Sequence, residues 1–242
     1  MAVQALTDAF IYGAGYDFTG DTNDVKLAMD AATLDRTTFG SGSWREVAGG
    51  AKSHVLDVAG FWQAGTASVD VESFNDLGTT NRVFTIGAAD TENTLAYMFR
   101  SAKMRYQALD GGYGELAKFA LGASGTDGQG VIRGKLAKAK ANVSGTGATG
   151  TGLQLGAVAA DEFLYATFHV FSAGTTITVV VESDDNAGFS SATTRITFGP
   201  ITTAGGTWGT RVAGAITDDY YRLRITAITG TFSIAGAIGI GY

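Results

Sequence analysis

The sequence predicts an all-β protein made of two consecutive β-sandwich parts and one short helix. Glycine supplies 35 of the 242 residues, roughly twice its average share, whereas proline occurs once. Glycine-rich clusters separate short runs of β-branched and aromatic residues, a pattern typical of strands joined by turns. With a single proline, at Pro200, the glycines do not belong to a collagen-like or proline-rich segment.

Composition argues against several functional classes. The chain contains no cysteine, so disulfides, thiolate chemistry and zinc sites built on sulfur are excluded. The formal net charge of −6 argues against a protein that grips nucleic acid by its phosphates, but it suits a surface past which DNA slides without sticking. The N-terminus lacks the cationic start and apolar segment of a signal peptide. No apolar run approaches the ~20 residues of a membrane-spanning helix, and we expect no membrane partner.

The first 24 residues are polar, dotted with aromatic side chains and without a clear period. An ordered arm lying on a neighbouring molecule and a frayed terminus are both open for this segment. From Val25 the alternation becomes clear, and it predicts a half-buried strand with one apolar face made of Val25, Leu27, Met29 and Ala31.

The stretch from Thr37 to Trp62 is the centre of the chain's organisation. It predicts one strand ending at Phe39, a glycine-rich connection from Gly40 to Gly50, and a second strand from Lys52 to Trp62. A connection of about ten residues exceeds what a tight hairpin needs, and such loops are usually functional or disordered.

The tip of that connection holds Trp44, Arg45 and Glu46, which are contact residues rather than solvating ones. A monomer gains little from holding a tryptophan and a charged pair away from its core. The loop therefore predicts a subunit that meets copies of itself through these three residues.

The strand after the loop is apolar on both faces. One face has His54, Leu56, Val58 and Trp62, and the other has Val55, Ala59 and Phe61 around Asp57. A strand that is apolar on both faces is covered on both. We expect another subunit to supply the second cover, at Val55, Ala59 and Phe61.

One short helix is predicted, over Asp70–Leu77. Val71, Phe74 and Leu77 recur on one stripe of such a helix, and Gly78 is a suitable stop.

Four strands are predicted to complete the first part. Arg82–Ile86 and Val131–Val143 have strand composition. Thr94–Ala108 fits either a helical stripe or the first strand of a hairpin that turns at residues 110–112, and we favour two strands.

A change in composition marks the predicted domain boundary. Residues 144–152 are rich in glycine, serine and threonine and predict a linker, placed at 146–155. Five runs of strand type follow, at Phe163–Ser172, Thr176–Glu182, Thr193–Phe198, Tyr220–Ile228 and Phe232–Ile240. Their spacing predicts a second β-sandwich, Ig-like or jelly-roll-like, over residues 156–242. The predicted order is therefore an arm (1–24), a first domain (25–145), a linker and a second domain.

Candidates for chemistry all have a simpler structural interpretation. Glu182, Asp184, Asp185 and Asn186 offer oxygen ligands for calcium, but their spacing is not that of an EF-hand loop and turn chemistry explains them better. His54 and His169 each stand alone inside a strand, which favours packing over catalysis or metal binding.

Two basic segments also have simpler structural interpretations. The run Arg133, Lys135, Lys138 and Lys140 lacks the interleaved aromatics of a nucleic-acid site, so a solvated face or pairing between subunits is the better explanation. Tyr220, Tyr221, Arg222 and Arg224 could line a sugar site, and edge-strand packing explains them equally well. With no paired acid and base, we expect no enzyme, metal or cofactor.

A set of short motifs resembles a known family. Thr37-Thr38-Phe39-Gly40, Ser43-Trp44-Arg45, Gly49-Gly50-Ala51-Lys52 and Val58-Ala59-Gly60-Phe61-Trp62 follow one another in the order found in the N-terminal half of tail tube proteins (major tail proteins) of long-tailed bacteriophages. Ala96-Tyr97-Met98-Phe99, Gly114-Glu115-Leu116 and Val131-Ile132-Arg133-Gly134 resemble the family's later strands. Residues after the predicted linker resemble the sandwich extension of some of these proteins.

The resemblance implies a tail-tube-type β-sandwich or barrel that closes into hexameric rings, which stack around a lumen. It implies contact between rings at Trp44, Arg45 and Glu46, and contact within a ring at Val55, Ala59 and Phe61. The implied partners are further copies, the tape measure protein, the tail terminator and tail tip proteins, and genome DNA that passes without specific binding. The implied location is the virion tail, assembled in the host cytoplasm. The alternative is a virion surface or adhesion module whose C-terminal sandwich binds host polysaccharide.

Overall fold

A computed structural model describes residues 6–242 as sixteen mainly antiparallel strands, one α-helix and one 3-10 turn. The fold is therefore all-β, as predicted. In the first half of the chain the elements are β1 (Phe10–Gly13), β2 (Tyr16–Asp17), β3 (Thr22–Asp35), the 3-10 turn (Phe39–Ser41), β4 (Val47–Phe61), α1 (Val69–Asn75), β5 (Arg82–Gly87), β6 (Leu95–Asp110) and β7 (Lys118–Gly125). In the second half they are β8 (Ile132–Val143), β9 (Gly147–Gln154), β10 (Phe163–Ser172), β11 (Thr176–Asp184), β12 (Thr193–Ile201), β13 (Gly205–Trp208), β14 (Val212–Ala213), β15 (Tyr220–Thr229) and β16 (Phe232–Gly241).

The chain divides into two compact units that are interleaved along the sequence. Unit 1 comprises Met1–Gly20, Arg82–Phe99 and Val131–Tyr242, and unit 2 comprises Asp21–Asn81 and Arg100–Gly130. Strand β6 passes from one unit into the other. This division differs from the predicted succession of a domain at 25–145 and a second at 156–242.

Unit 1 is built from two sheets. One has the strand order β13-β10-β16-β8-β6-β5-β1-β2, and the other has the order β12-β11-β15-β9. Its largest apolar cluster contains side chains of both sheets, among them Leu164, Phe168, Val181, Leu223 and Ile234. The five strands predicted after residue 156 are present as β10, β11, β12, β15 and β16, and β8 and β9 pair with them in the same two sheets.

The predicted linker at 146–155 is a strand instead. β9 pairs with β15 from Gly147 to Gln154. Its glycine content is typical of a linker, but Gly150 is needed because the backbone of Ala137 lies close to it. The φ of Gly150 is +76°, and a Cβ there would lie 2.0 Å from Ala137 O. Only glycine fits such a position.

The predicted N-terminal arm is part of the sheet. β1 pairs with β5 and β2, and Phe10, Ile11 and Tyr12 are all buried. A strand covered on both faces has no polar alternation, which explains why the segment shows no period. Residues 1–5 of that prediction lie outside the described residues.

Unit 2 is a sheet of β3, β4, β7 and the second part of β6, with α1 packed on it. Its buried side chains include Leu56, Val58, Val69, Phe119 and Leu121. The predicted helix, the strand β5 and the hairpin interpretation of β6 and β7 agree with the structure.

The central stretch is shifted relative to its prediction. β3 ends at Asp35, the connection covers residues 36–46, and β4 begins at Val47. Gly49 pairs with Thr33, and residues 50 and 51 form a bulge in the β3–β4 pairing rather than part of a loop. A Cβ at Gly50 would lie 3.1 Å from Ala32 O, so glycine suits the bulge.

Candidate assembly surface

Strands β3 and β4 run together beyond the rest of their sheet. β4 pairs with β7 only from Val55 to Phe61, whereas β3 and β4 pair with each other as far as Asp35 and Val47. Residues 29–53 therefore form a two-stranded projection, which we call the ribbon. At about 3.3 Å per residue its paired part is about 20 Å long. A two-stranded hairpin is at best marginally stable in water by itself.

The ribbon presents large apolar side chains to solvent. Met29, Leu34 and Val47 are each more than half exposed, Trp44 is 81% exposed and Phe39 is fully exposed. In the described part of the chain, all but three of the exposed large hydrophobic side chains belong to unit 2. Exposed apolar side chains concentrated in one part of a protein are typical of interaction sites.

The end of the ribbon is nevertheless an ordered loop. The Thr37 hydroxyl accepts a hydrogen bond from Glu46 N (2.9 Å) and donates one to Glu46 O (3.3 Å), and Arg36 N donates to Glu46 O (3.0 Å). Thr38 and Ser41 cap the 3-10 turn reciprocally. Because backbone and hydroxyl groups set the loop's shape, its aromatic side chains are presented without packing on the chain itself.

Asp35 fastens the base of this loop. Its carboxylate accepts hydrogen bonds from Thr37 N at 2.9 Å and from Arg45 Nε at 3.2 Å. The bond from the Thr37 amide is the main reason that the pKa of Asp35 lies below its ordinary value.

The charged residues predicted at the loop tip are paired within the ribbon. Arg45 contacts Asp35, and Glu46 Oε2 lies 3.8 Å from Arg36 Nε. All four side chains are at least half exposed, and such pairs contribute little stability. A contact of Trp44, Arg45 or Glu46 with another molecule stays a prediction.

Helix α1 and the two residues after it bury two polar side chains together with Val69 and expose the predicted apolar stripe. Val69, Ser73 and Asp76 are buried, whereas Val71, Phe74 and Leu77, the apolar stripe read from the sequence, are exposed. Phe74 is 69% exposed. An exposed amphipathic helix normally shows the opposite arrangement.

Two polar anchors hold the helix in this orientation. The buried Lys103 ammonium donates to Glu72 O (2.8 Å) and lies 3.2 Å from Asp76 Oδ2. Asp70 Oδ1 accepts from Tyr106 Oη (2.7 Å) and from Trp62 Nε1 (3.0 Å). Burial, followed by the bond to Asp70, raises the pKa of Tyr106 well above its ordinary value. The sequence gives no local sign of either anchor.

The predicted contact face of β4 is incompletely covered within the chain. His54, Leu56 and Val58 are buried on one face; on the other, Val55 and Ala59 are half-buried and Phe61 is 40% exposed. β4 pairs with β3 and β7 on its two sides over these residues. Any contact there with another molecule is therefore made by side chains and not by strand pairing.

The remaining chemical candidates have structural partners. Asp184 accepts bonds from Asn186 N and Ser191 N, as expected for turn chemistry. Arg222 and Arg224 both contact Glu182, and Tyr221 is buried with its hydroxyl on Asp218 O.

Neither histidine lies in a cluster that could hold a metal. His54 Nε2 lies 3.0 Å from Ser101 Oγ, and His169 Nε2 lies 2.9 Å from Thr85 Oγ1. Residues 6–242 contain no group of three or more histidine or acidic side chains arranged for a metal ion. Within the same range, no helix has the length and apolar character needed to cross a membrane.

Comparison with known proteins gives distant structural likenesses. No family model matches the sequence, and no curated protein matches it. A chain from the virion of a native gene transfer agent particle is 18% identical, with a TM-score of 0.42 over 53% of this chain and 98% of that one. The Dit hub protein of phage SPP1 is 11% identical, with a TM-score of 0.39 over 97% and 99% of the two chains. A chain of the phage p2 baseplate is 10% identical, with a TM-score of 0.34 over 97% and 98%. These values are too low to transfer a function.

Proposed function

We propose that the chain is a structural subunit of a phage tail, specifically of the tail tube, which self-associates into stacked hexameric rings around a DNA-conducting lumen. The observation that carries the proposal is the ribbon. An ordered loop holds Phe39 and Trp44 in solvent at the end of a two-stranded projection that pairs with no third strand within residues 6–242. Such a projection gains stability only when another molecule covers it.

The sequence motifs support the assignment of the ribbon and β4 to contacts between tail tube subunits. Four of the seven motifs that resemble tail tube proteins, those between Thr37 and Trp62, fall on the ribbon and on β4 or directly after it, and these elements expose apolar side chains. In the proposed assembly the loop with Trp44, Arg45 and Glu46 contacts the adjacent ring. The face with Val55, Ala59 and Phe61 contacts a neighbour within the ring.

The proposed role involves no catalysis, metal or cofactor. The formal charge of −6 suits a lumen that conducts DNA without holding it. The proposed partners are the tape measure protein, the tail terminator and tail tip proteins and the passing genome. The proposed location is the virion, after assembly in the host cytoplasm.

Negative-stain electron microscopy of the purified full chain tests the proposal. Tubes of constant diameter with six-fold end views are the expected result. Discrete particles at all concentrations would overturn it. Particles that also bind polysaccharide would favour the alternative of a virion adhesion module.

A further inference from the structure

The exposed stripe of α1 needs a cover, and its surroundings are acidic. The segment from Val69 to Leu77 contains Asp70, Glu72 and Asp76 and no lysine or arginine. Lys103 neutralises Asp76, and within residues 6–242 Asp70 is bound only to the neutral groups of Trp62 and Tyr106. A partner for Val71, Phe74 and Leu77 would therefore combine an apolar surface with positive charge.

Unit 1 contains a surface cleft of this character. Its volume is about 390 Å³, and Leu95, Leu155 and Ile240 line it together with Arg133 and Lys135. Gly134 and Gly239, which face each other across β8 and β16, also line it. The cleft thus has apolar walls beside two cationic side chains.

The cationic charge at the cleft is incompletely neutralised. Two other lysines of the same strand have acidic partners: Lys138 pairs with Glu92 at 2.9 Å and Lys140 with Asp17 at 2.7 Å. Lys135 donates to the neutral Asn93 side chain, and within residues 6–242 Arg133 has no ion pair. The cleft therefore attracts an acidic partner.

We propose that the α1 stripe of one copy docks in the cleft of a second copy, with Phe74 entering between the apolar walls and Glu72 facing Arg133. This inference rests on the proposed self-assembly and assigns a contact to it. A phenylalanine buries enough surface to dominate a small interface. Because the two surfaces differ, the contact is head-to-tail, and repeating it produces a closed ring or a filament.

Charge favours α1 over the ribbon loop as the occupant. In the ribbon, Arg45 is balanced by Asp35 and Arg36 by Glu46, so the loop offers the cleft no net negative charge. The α1 segment keeps the charge of Glu72 beside its apolar stripe. Trp44 in the cleft is therefore the competing outcome of the test.

Cysteine cross-linking tests the contact directly, because the chain has no cysteine of its own. A Phe74→Cys variant mixed with an Ile240→Cys variant should form a mixed disulfide dimer on mild oxidation, since disulfides need Cα atoms within about 7 Å. Trp44→Cys mixed with Ile240→Cys should form none. The reverse result, or equal cross-linking of both mixtures, would overturn the proposal.

Exchanging the charges at positions 72 and 133 tests the same contact through the protein concentration required for assembly. Glu72→Arg and Arg133→Glu should each raise the protein concentration required for assembly at least tenfold, and combining them should restore it to within about threefold of wild type. Tyr113→Ala, at a fully exposed position in the β6–β7 turn, is the matched control with no expected effect. Absence of rescue in a double variant that is folded by circular dichroism would overturn the pairing of Glu72 with Arg133.

The two proposals fail separately. If wild type forms tubes but the Phe74→Cys and Ile240→Cys variants do not cross-link, this contact is wrong and the tail-tube function still stands. If the variants cross-link into oligomers but wild type forms no tubes, the contact is supported and the tail-tube function is wrong.

Discussion

The ammonium of Lys103 lies 3.2 Å from the carboxylate of Asp76, and both side chains are buried. The same ammonium donates to Glu72 O. This pair fastens the end of α1 to β6 and turns the apolar stripe of the helix toward solvent. The exposure of Phe74 is thus a consequence of a buried ion pair.

Replacing Lys103 by methionine should destabilise the protein strongly. The substitution preserves much of the side chain's volume but leaves Asp76 without its buried counter-charge. Breaking a buried pair in this way costs about 3–5 kcal/mol. The free energy of unfolding from urea titration measures the loss. Lys118→Met, at an exposed position of β7, is the control and should change it by less than about 0.5 kcal/mol. Equal stabilities of the two variants would show that the pair does not anchor the helix.

The C-terminal strands could be predicted from the sequence because each is a β-branched or aromatic run between turn residues. The predicted Phe163–Ser172 coincides with β10, and the predicted Tyr220–Ile228 differs from β15 by one residue. Strand β9 could not be recognised in this way. Its glycines look like a linker, and the close approach of Ala137 O to Gly150 is visible only in the folded chain.

The candidate site was predictable in part for a related reason. The unusual length of the connection and the presence of Trp44 predict a contact surface at the end of the ribbon. The sequence periodicity also predicts the apolar stripe of α1, but it does not indicate whether the stripe faces solvent or the sheet. That orientation depends on Lys103, which lies on a strand about 30 residues later in the chain.

Acid should weaken unit 1 through His169. This imidazole is fully buried, and burial lowers its pKa from about 6.5 to about 3. The unfolded chain therefore takes up a proton in that range that the folded chain does not. The contribution of His169 to the free energy of unfolding is fully present above about pH 6.5. Below that pH the free energy of unfolding falls by about 1.4 kcal/mol per pH unit toward pH 3.

Urea titrations of wild type and His169→Phe between pH 7 and pH 4 measure this contribution. Phenylalanine can keep the ring contact with Phe171 but has no proton to bind, and Thr85 retains Thr167 as a partner. In the variant, the free energy of unfolding should depend less steeply on pH, by the amount that corresponds to the uptake of about one proton. His54, whose pKa burial also lowers, still contributes. An unchanged slope would exclude His169 as the source.

The ribbon loop should loosen in strong acid. Because the Thr37 amide lowers the pKa of Asp35, the carboxylate stabilises the loop fully above the ordinary pKa of about 3.9 and loses that effect as pH falls through the lowered value. The Thr37 amide resonance should therefore titrate below pH 3.9 in NMR spectra of the unassembled protein. It should show no such transition in Asp35→Asn, whereas Asp30→Asn in the same strand should leave it intact. A Thr37 transition that persists in Asp35→Asn would contradict the assignment.

Removing the exposed aromatic side chain of the ribbon loop should prevent tube formation without unfolding the monomer. Trp44 has little packing in the chain, so Trp44→Ala should leave the unfolding free energy within about 0.5 kcal/mol of wild type. Losing a buried interface tryptophan costs about 2 kcal/mol or more per contact, which raises the concentration needed for assembly at least thirtyfold. Deletion of residues 42–47 should abolish tubes altogether. Tyr242→Ala, at an exposed aromatic position of unit 1, should assemble like wild type. Sedimentation and electron microscopy read out both effects, and normal tubes from the deletion variant would mean that the loop makes no essential contact between rings.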